Sequence, residues 1–354
     1  MAERRKTLVL LTPAFHVFEQ EPWLPWQAVV VRAINEQFPS LKIVILAFHF
    51  PLSKEKKINW HGNDVYLLNG AMKRRLHTAA RWIRAWRLLK RIHKEQDVVG
   101  ILSFFCSESA FIGHHFAKRH RLNHKIWVMG QDAKRENKEV ARIRPQQDEL
   151  VCMSDFLQRE FYANHGILPA HVIPGGVDTK AAPGGIVDRD IDLLGAGSLI
   201  PLKQYDQFID VVKMVSERLP GIKAIVCGEG VERERLIEKL KALGLEERLS
   251  FIGFQLHADT LRYMQRAKIL LHTSSYEGLG MVMLEALYEG AHVISFVKPL
   301  DAPVAHWHVV QTKEEMAEKA VALLQDAQTR FEPVLVYAVA DTARAIAGLF
   351  NIHD

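Results

Sequence analysis

Short apolar runs alternate with longer amphipathic ones along this 354-residue chain, and the alternation runs twice. In the first half "TLVLL", "KIVILAF", "VVGILSF", "KIWVMG", "ELVCMS" and "HVIPGG" have the length and apolar density of buried strands. Between them "WQAVVVRAINEQF", "KRRLHTAARWIRAWRLLKRIHKEQ", "ESAFIGHHFAKRH" and "DFLQREFYANHG" carry helical spacing. In the second half the strands are "DLLGAG", "KAIVCGEG", "LSFIGF", "KILLHTS" and "HVISF", with helices expected over 203–218, 231–243, 258–266, 280–289 and 313–326. Strands apolar throughout and separated by helices predict α/β architecture, with parallel sheets covered on both faces. The two sets meet at "PGGVDTKAAPGGIVDRD", whose Gly, Pro and charge mark a linker near 175–190. Two domains are therefore expected, 1–178 and 190–330, in keeping with a length greater than one core usually holds. A C-terminal helical segment, 331–354, follows, with the first domain as one place for it to pack.

Composition narrows the class. Apolar content of 48% and charged content of 25% suit a globular chain rather than a disordered one. No apolar run approaches the roughly 20 residues of a membrane span. The start, "MAERRKTLVLLTPAFHVFEQ", has the basic tip and apolar stretch of a signal peptide. The stretch is short and lacks a small-residue cleavage site, so it reads as a first buried strand. Cys106, Cys152 and Cys227 stand far apart in apolar runs, as buried thiols of a cytoplasmic protein do. Residues 1–178 hold 27 Lys and Arg against 17 Asp and Glu, and the remainder 19 against 24. A basic first half and a mildly acidic second suggest domains with different partners.

The most informative stretch is "HTSSYEGLGMVMLEALYEG", residues 272–290. With "KILLHTS" as a strand and a helix starting near Gly280, Glu277 sits in the connecting loop. Glu285 then lies about 7 Å along the helix axis, and its side chain leans back toward that loop. Between the carboxylates lies a helix N-terminus, whose free N–H groups and positive dipole end favour a diphosphate. Gly278 and Gly280 let the backbone approach such a group. Two acceptors flanking a phosphate site suit the ribose and the sugar of a nucleotide sugar. An ordinary surface pair is the plainer reading, but Glu285 stands amid "MVMLEALY", where an unpaired carboxylate is costly.

This spacing, Glu followed by seven residues and Glu within "SSYEGLGMVMLEALYEGAHVI", resembles the signature of the family 4 retaining glycosyltransferases (glycosyltransferase group 1) of GT-B fold. "HVIPGGVD" resembles the family's inter-domain stretch, with Gly175 in place of an asparagine, and "LLGAGSLIPLKQYDQFIDVV" resembles its glycine-to-lysine loop. "KAIVCGEG" and "LSFIGF" match the strands bordering the nucleotide. The resemblance is specific over about 150–295. It implies two Rossmann-like doubly wound domains facing across a cleft, with the donor on the second. It also implies roles by position. Glu285 would bond the ribose and Glu277 face the donor sugar. The amides of Gly278, Leu279 and Gly280 would hold the sugar and diphosphate. Lys203 would neutralise the departing diphosphate. Gly197 and Ser198 on one loop, Gly228 and Gly230 on the next, and Phe254 at the end of "LSFIGF" would line the nucleotide side. The family's second phosphate clamp, an arginine, is Ser198 here. Its first-domain histidine is replaced by Met129 or Gly130, with Asp132 close by as either a catalytic-site group or a helix cap.

The expected activity is metal-independent, retaining transfer of a hexose-type sugar to a hydroxyl acceptor, with no cofactor besides the donor. Two other classes reuse the same features: a nucleotide-sugar isomerase of the 2-epimerase kind, and a non-catalytic nucleotide-sugar binding protein. "DRD" at 188–190 resembles a metal-binding carboxylate pair but reads as solvated charge. His114 and His115 are adjacent, hence on different helix faces, and read as surface residues rather than ligands. The helix in "KRRLHTAARWIRAWRLLKRIHK" puts Leu76, Ala79, Ile83 and Trp86 on one stripe and Arg74, Arg81, Arg84, Arg91 and Lys94 on its neighbour. That is either a packed helix with a solvated face or a surface for anionic lipid. The partners expected are a nucleotide-sugar donor and a glycan or lipid-linked acceptor, with peripheral attachment to the inner membrane face and no nucleic acid.

Overall fold

A computed structural model describes residues 5–15, 17, 25–70, 75–180 and 188–353. The chain divides into two compact units, residues 1–175 together with 339–354, and residues 176–338.

The first unit alternates β1 (Lys6–Ala14), α1 (Pro25–Gln37), β2 (Lys42–Phe50), β3 (Lys57–Trp60), β4 (Asn63–Leu67), α2 (Arg75–Glu95), β5 (Asp97–Phe104), α3 (Glu108–His120), β6 (His124–Val128), α4 (Lys138–Ile143), β7 (Leu150–Cys152), α5 (Asp155–His165) and β8 (His171–Val172). The strands form one sheet in the order β3-β4-β2-β1-β5-β6-β7-β8. All neighbours run parallel except β3 and β4, an antiparallel edge hairpin in "KINWHGNDVYL" that periodicity did not separate from loop. Leu8 to Leu11 and Ile43 to Phe48 are buried, which is why these runs are apolar on both faces. Helix ends follow local chemistry: Ser154 Oγ accepts from Leu157 N at 3.2 Å to open α5, and Gly166 closes it in the left-handed region.

The second unit continues with β9 (Ile191–Ala196), α6 (Tyr205–Arg218), β10 (Ala224–Cys227), α7 (Arg233–Ala242), β11 (Leu249–Phe251), α8 (His257–Arg266), β12 (Ala267–His272), α9 (Met281–Tyr288), β13 (His292–Ser295), β14 (Trp307–Val309) and α10 (Lys313–Gln325). Its sheet order is β11-β10-β9-β12-β13-β14, parallel throughout. Tyr205, Phe208, Ile209, Val212 and Val215 form the buried stripe of α6, at the three-and-four spacing of a helix packed on a sheet.

The last helix, α11 (Val339–Gly348), belongs to the first unit and packs on α1. Asn123 Nδ2 donates to Leu349 O at 2.7 Å, and Thr342 Oγ1 to Pro174 O at 2.9 Å. Residues 331–338 are not helical and stay with the second unit, where Val334 N bonds Leu287 O at 2.9 Å.

The stripe expected on α2 is rotated. Its buried line is Arg81, Ala85, Leu89 and Ile92, while Ala79 and Ile83 are exposed. Arg81 is tolerated inside because Glu108 accepts from its Nε and Nη2, both at 2.7 Å, and Gly70 O accepts from its Nη1 at 3.1 Å. Arg74 and the side chain of Leu76 lie outside the described residues. His115 is exposed as expected, but His114 is buried, bonded through Nδ1 to Glu149 at 2.8 Å. Among the described residues, no helix is long and apolar enough to cross a membrane.

Candidate active site

In the second sheet the strand order reverses at β9 and β12, and open α/β sheets bind ligands outside the carboxyl ends of such a strand pair. The chain leaves β9 through Gly197, Ser198 and a 3-10 turn, Pro201–Lys203, and leaves β12 through residues 273–280. The two loops are stitched together. Ser275 N bonds Leu202 O at 3.1 Å, and Thr273 Oγ1 donates to Lys203 O at 2.8 Å.

Three donors meet the Glu277 carboxylate on that frame. Lys203 Nζ pairs with Oε1, His272 Nε2 lies 3.1 Å from it, and Ser274 Oγ donates to it at 3.1 Å. Burial works to raise the Glu277 carboxyl, yet the His272 hydrogen bond and the Lys203 charge outweigh it and hold the group down at about 2. Burial lowers the His272 imidazole, against the pull of Glu277. The site thus holds a permanent carboxylate with one fixed cation. His272 ends the strand and stands inside "HTSSYEG", but five residues from Glu277 its orientation was unreadable without the loop.

Gly280, at φ +75°, carries the chain into α9 in a conformation glycine adopts without strain. Gly278 and Leu279 are buried, and Glu285 lies on the first turns of α9, partly exposed. Its Oε1 is 2.8 Å from Nε2 of His257, the first residue of α8 and a second partner that sequence did not reveal. Four residues on, burial first and Glu285 second push the Glu289 carboxyl up to about 7, with Arg189 opposing.

The glycines after β10 are explained by close approach. A Cβ on Gly228 would stand 1.9 Å from Gly197 O, and one on Gly230 2.3 Å from Leu199 O. The loops after β9 and β10 therefore touch backbone to backbone, with Leu199 N bonding Glu229 O at 2.8 Å. Ser198 is exposed on this platform, and so is Phe254 beyond β11, where Gly253 O accepts from Gly228 N at 2.8 Å. Glu277, Gly278, Leu279, Gly280 and Glu285 share one loop and helix, joined to Lys203 by its ion pair. Gly197, Ser198, Gly228, Gly230 and Phe254 belong to the adjoining strand-end loops.

Asp132 lies in the first unit, in the 3-10 turn Gly130–Ala133 after β6. It is buried, and Oδ2 accepts from Met129 N at 2.9 Å, the geometry of a cap. Burial pushes its carboxyl up to about 7, only partly offset by backbone bonds from Met129 and Cys106. In "DRD", Arg189 donates to the backbone oxygens of Ala267 and Glu289, the latter at 2.6 Å. Asp190 is engaged by Arg266, at 2.7 and 2.8 Å, and by Lys223, at 2.6 Å.

Residues 177–330 match the family model described as glycosyl transferases group 1. The matched stretch lies within the second unit. Among curated relatives, 2-deoxystreptamine N-acetyl-D-glucosaminyltransferase of Niallia circulans is 30% identical over 103 residues, 29% of this chain and 26% of that protein. Lipopolysaccharide core biosynthesis glycosyltransferase LpsE of Rhizobium meliloti is 31% identical over 103 residues, 29% of this chain and 28% of that protein. The matched parts thus span 26% and 28% of these relatives' own lengths, so the likeness in sequence covers only a part of each. Solved structures match far more. Sucrose-phosphate synthase from Thermosynechococcus elongatus gives a TM-score of 0.72 at 16% identity, covering 98% of this chain and 95% of that one. Anabaena HepE in complex with UDP and glucose gives 0.68 at 18%, covering 97% and 95%. These likenesses establish the GT-B fold, with two Rossmann-like units.

Proposed function

We propose that this protein transfers a sugar from a nucleotide-diphosphate sugar to a hydroxyl acceptor, with retention at the anomeric carbon and without a metal. The observation that carries the reading is the Lys203–Glu277 pair at the carboxyl ends of β9 and β12, beside the N-terminus of α9. A diphosphate there meets a cation and a positive helix end. Glu285 takes the ribose, exchanging its bond from His257 for the ribose hydroxyls. Glu277 faces the donor sugar, kept ionised and oriented by His272 and Ser274. As the anomeric bond breaks, negative charge grows on the diphosphate, and Lys203 with the α9 N-terminus stabilises it. Gly278, Leu279 and Gly280 place their backbone close to the phosphates, and the platform of Gly197, Ser198, Gly228, Gly230 and Phe254 receives the nucleoside. Asp132, with a carboxyl titrating near neutrality, is the first unit's candidate acid–base group.

The acceptor reading rests on α2. Ile83, Arg84, Arg87, Lys90, Arg91 and Lys94 are all exposed, at the spacing of one helix face. Such a face gains about 1 kcal/mol per cation beside anionic lipid. This supports a peripheral cytoplasmic enzyme with a glycan or lipid-linked acceptor. A panel of nucleotide sugars, read by thermal stability and then by product analysis, tests the function: a donor raises the melting temperature and is consumed only with an acceptor. A donor converted without acceptor would move the reading to isomerisation, and no stabilisation by any donor would overturn it.

A further inference from the structure

At the opposite end of the first sheet from its strand C-termini, three side chains converge. His114 lies on the buried face of α3, His124 opens β6, and Glu149 immediately precedes β7. Glu149 Oε1 is 2.8 Å from His114 Nδ1 and 3.3 Å from His124 Nδ1. The three candidate ligand atoms fall within 4.8 Å of one another, and no other group of three His, Cys, Asp or Glu among the described residues does so.

Two imidazole nitrogens and a carboxylate oxygen are a ligand set for zinc. Around a tetrahedral ion with bonds of about 2.0–2.2 Å, neighbouring ligand atoms stand roughly 3.3–3.5 Å apart. The separation from His124 to Glu149 already has that value, and the one from His114 needs a retreat of roughly half an ångström. The outward atoms of two ligands are held as metal ligands usually are. His124 Nε2 is 3.0 Å from Ser103 Oγ, and Glu149 Oε2 accepts from Gln146 N at 2.8 Å. All three residues line a cavity of about 960 Å³, which gives an ion an entry path and leaves room for a fourth ligand. Lys118, Arg142 and Arg144 also line it, so that fourth ligand is water or a small anion. Arg142 has its charge partly met by Glu139, at 2.6 Å.

We propose that His114, His124 and Glu149 form a binding site for a zinc-class divalent cation, with one position open to the cavity. The site is independent of the transfer reaction: it stands at the amino ends of β6 and β7, whereas ligands of such sheets bind beyond the carboxyl ends. Without a metal the same three groups are a closed hydrogen-bond set, and the experiment separates the two. Whole protein stripped with chelator and dialysed is titrated with zinc(II) and with cobalt(II). Saturable binding of one equivalent is expected, with a zinc-dependent rise in melting temperature and the visible cobalt bands of a four- or five-coordinate nitrogen–oxygen site. His114→Ala and Glu149→Gln abolish both signals, Ser103→Ala weakens zinc about 10- to 100-fold, and His115→Ala changes nothing. Failure of the folded wild type to bind, or binding equally tight in His114→Ala, overturns the proposal. If the ligand variants do not fold, the wild-type cobalt spectrum decides alone: thiolate bands, or the pale spectrum of six-coordinate cobalt, overturn it as well.

Discussion

In the first unit the strand order reverses at β1 and β5, and aromatic rings fill the space near the carboxyl ends of β5 and β6: Trp26, Phe104 and Trp127 have centroids 5.4 to 5.7 Å apart. In the second unit the reversal at β9 and β12 carries Lys203, His272, Ser274 and Glu277 instead, joined by hydrogen bonds and an ion pair. The windings are alike; the chemistry placed on their strand ends is not. Beside β5 and β6 three aromatic rings pack together, whereas beside β9 and β12 a carboxylate gathers a lysine, a histidine and a serine. A doubly wound sheet supplies a place for a ligand, and the loop residues decide what chemistry that place offers.

The largest effect expected separates structural from functional charge within the basic first unit. Arg81→Ala leaves the half-buried Glu108 without its main cation, and removes a buried guanidinium from the core line of α2, at an expected cost of about 3–5 kcal/mol of stability. Reversing the exposed Arg84, Arg87 and Arg91 leaves the protein folded but removes salt-sensitive cosedimentation with anionic vesicles. Denaturant titration checks the first outcome and vesicle binding the second; an Arg81→Ala protein as stable as wild type would show that α2 is held by its apolar residues alone.

Next is the second unit's fixed cation. Lys203→Ala is expected to lower turnover about 10²- to 10³-fold, with donor affinity changed much less, because the charge it meets grows as the bond breaks. Separate measurement of kcat and of donor binding distinguishes this from a loss confined to affinity. Glu285→Gln acts on the other quantity. Losing a charge-assisted bond to the ribose weakens donor binding by about 1.5–3 kcal/mol, which calorimetry reads directly.

The last comparison, read as a slope rather than a single loss, sets two carboxyls side by side, one in each unit. Asp132 and Glu289 are both pushed up to about 7, chiefly by burial, from ordinary values of 3.8 and 4.5. Between those limits the folded protein binds more protons than the unfolded chain, so their contribution is complete at low pH and is lost as pH rises through about 7. Asp132→Asn is expected to flatten the fall in stability between about pH 4 and 7, with Glu289→Gln removing a further part. Denaturation midpoints across that range supply the test, and an unaltered slope in both variants assigns the pH dependence elsewhere.

Much of this was legible in the residues. Strand and helix spacing predicted most of the elements, and "SSYEGLGMVMLEAL" predicted a loop and helix start with a carboxylate on either side, because one strand, loop and helix suffice to place them. The misreadings have a common cause. On α2 the count began from apolar residues, but Arg81 takes a core position once Glu108 and Gly70 O meet its guanidinium. His114 looked like surface because its partner Glu149 is 35 residues away. His257 gave no signal beside Glu285, 28 residues distant.

Sequence by itself determined the two alternating sets and the glycine-flanked carboxylates, since backbone propensity and helix geometry act over a few residues; the linker expected near 175–190 lies partly outside the described residues. Tertiary structure decided that β9 lies beside β12, so that Lys203 reaches Glu277 across 74 positions of chain. It also decided that α11 returns to the first unit and that Gly228 and Gly230 serve a backbone contact. Strand order and the pairing of buried charges depend on which surfaces meet, and no period or composition along a single chain encodes that meeting.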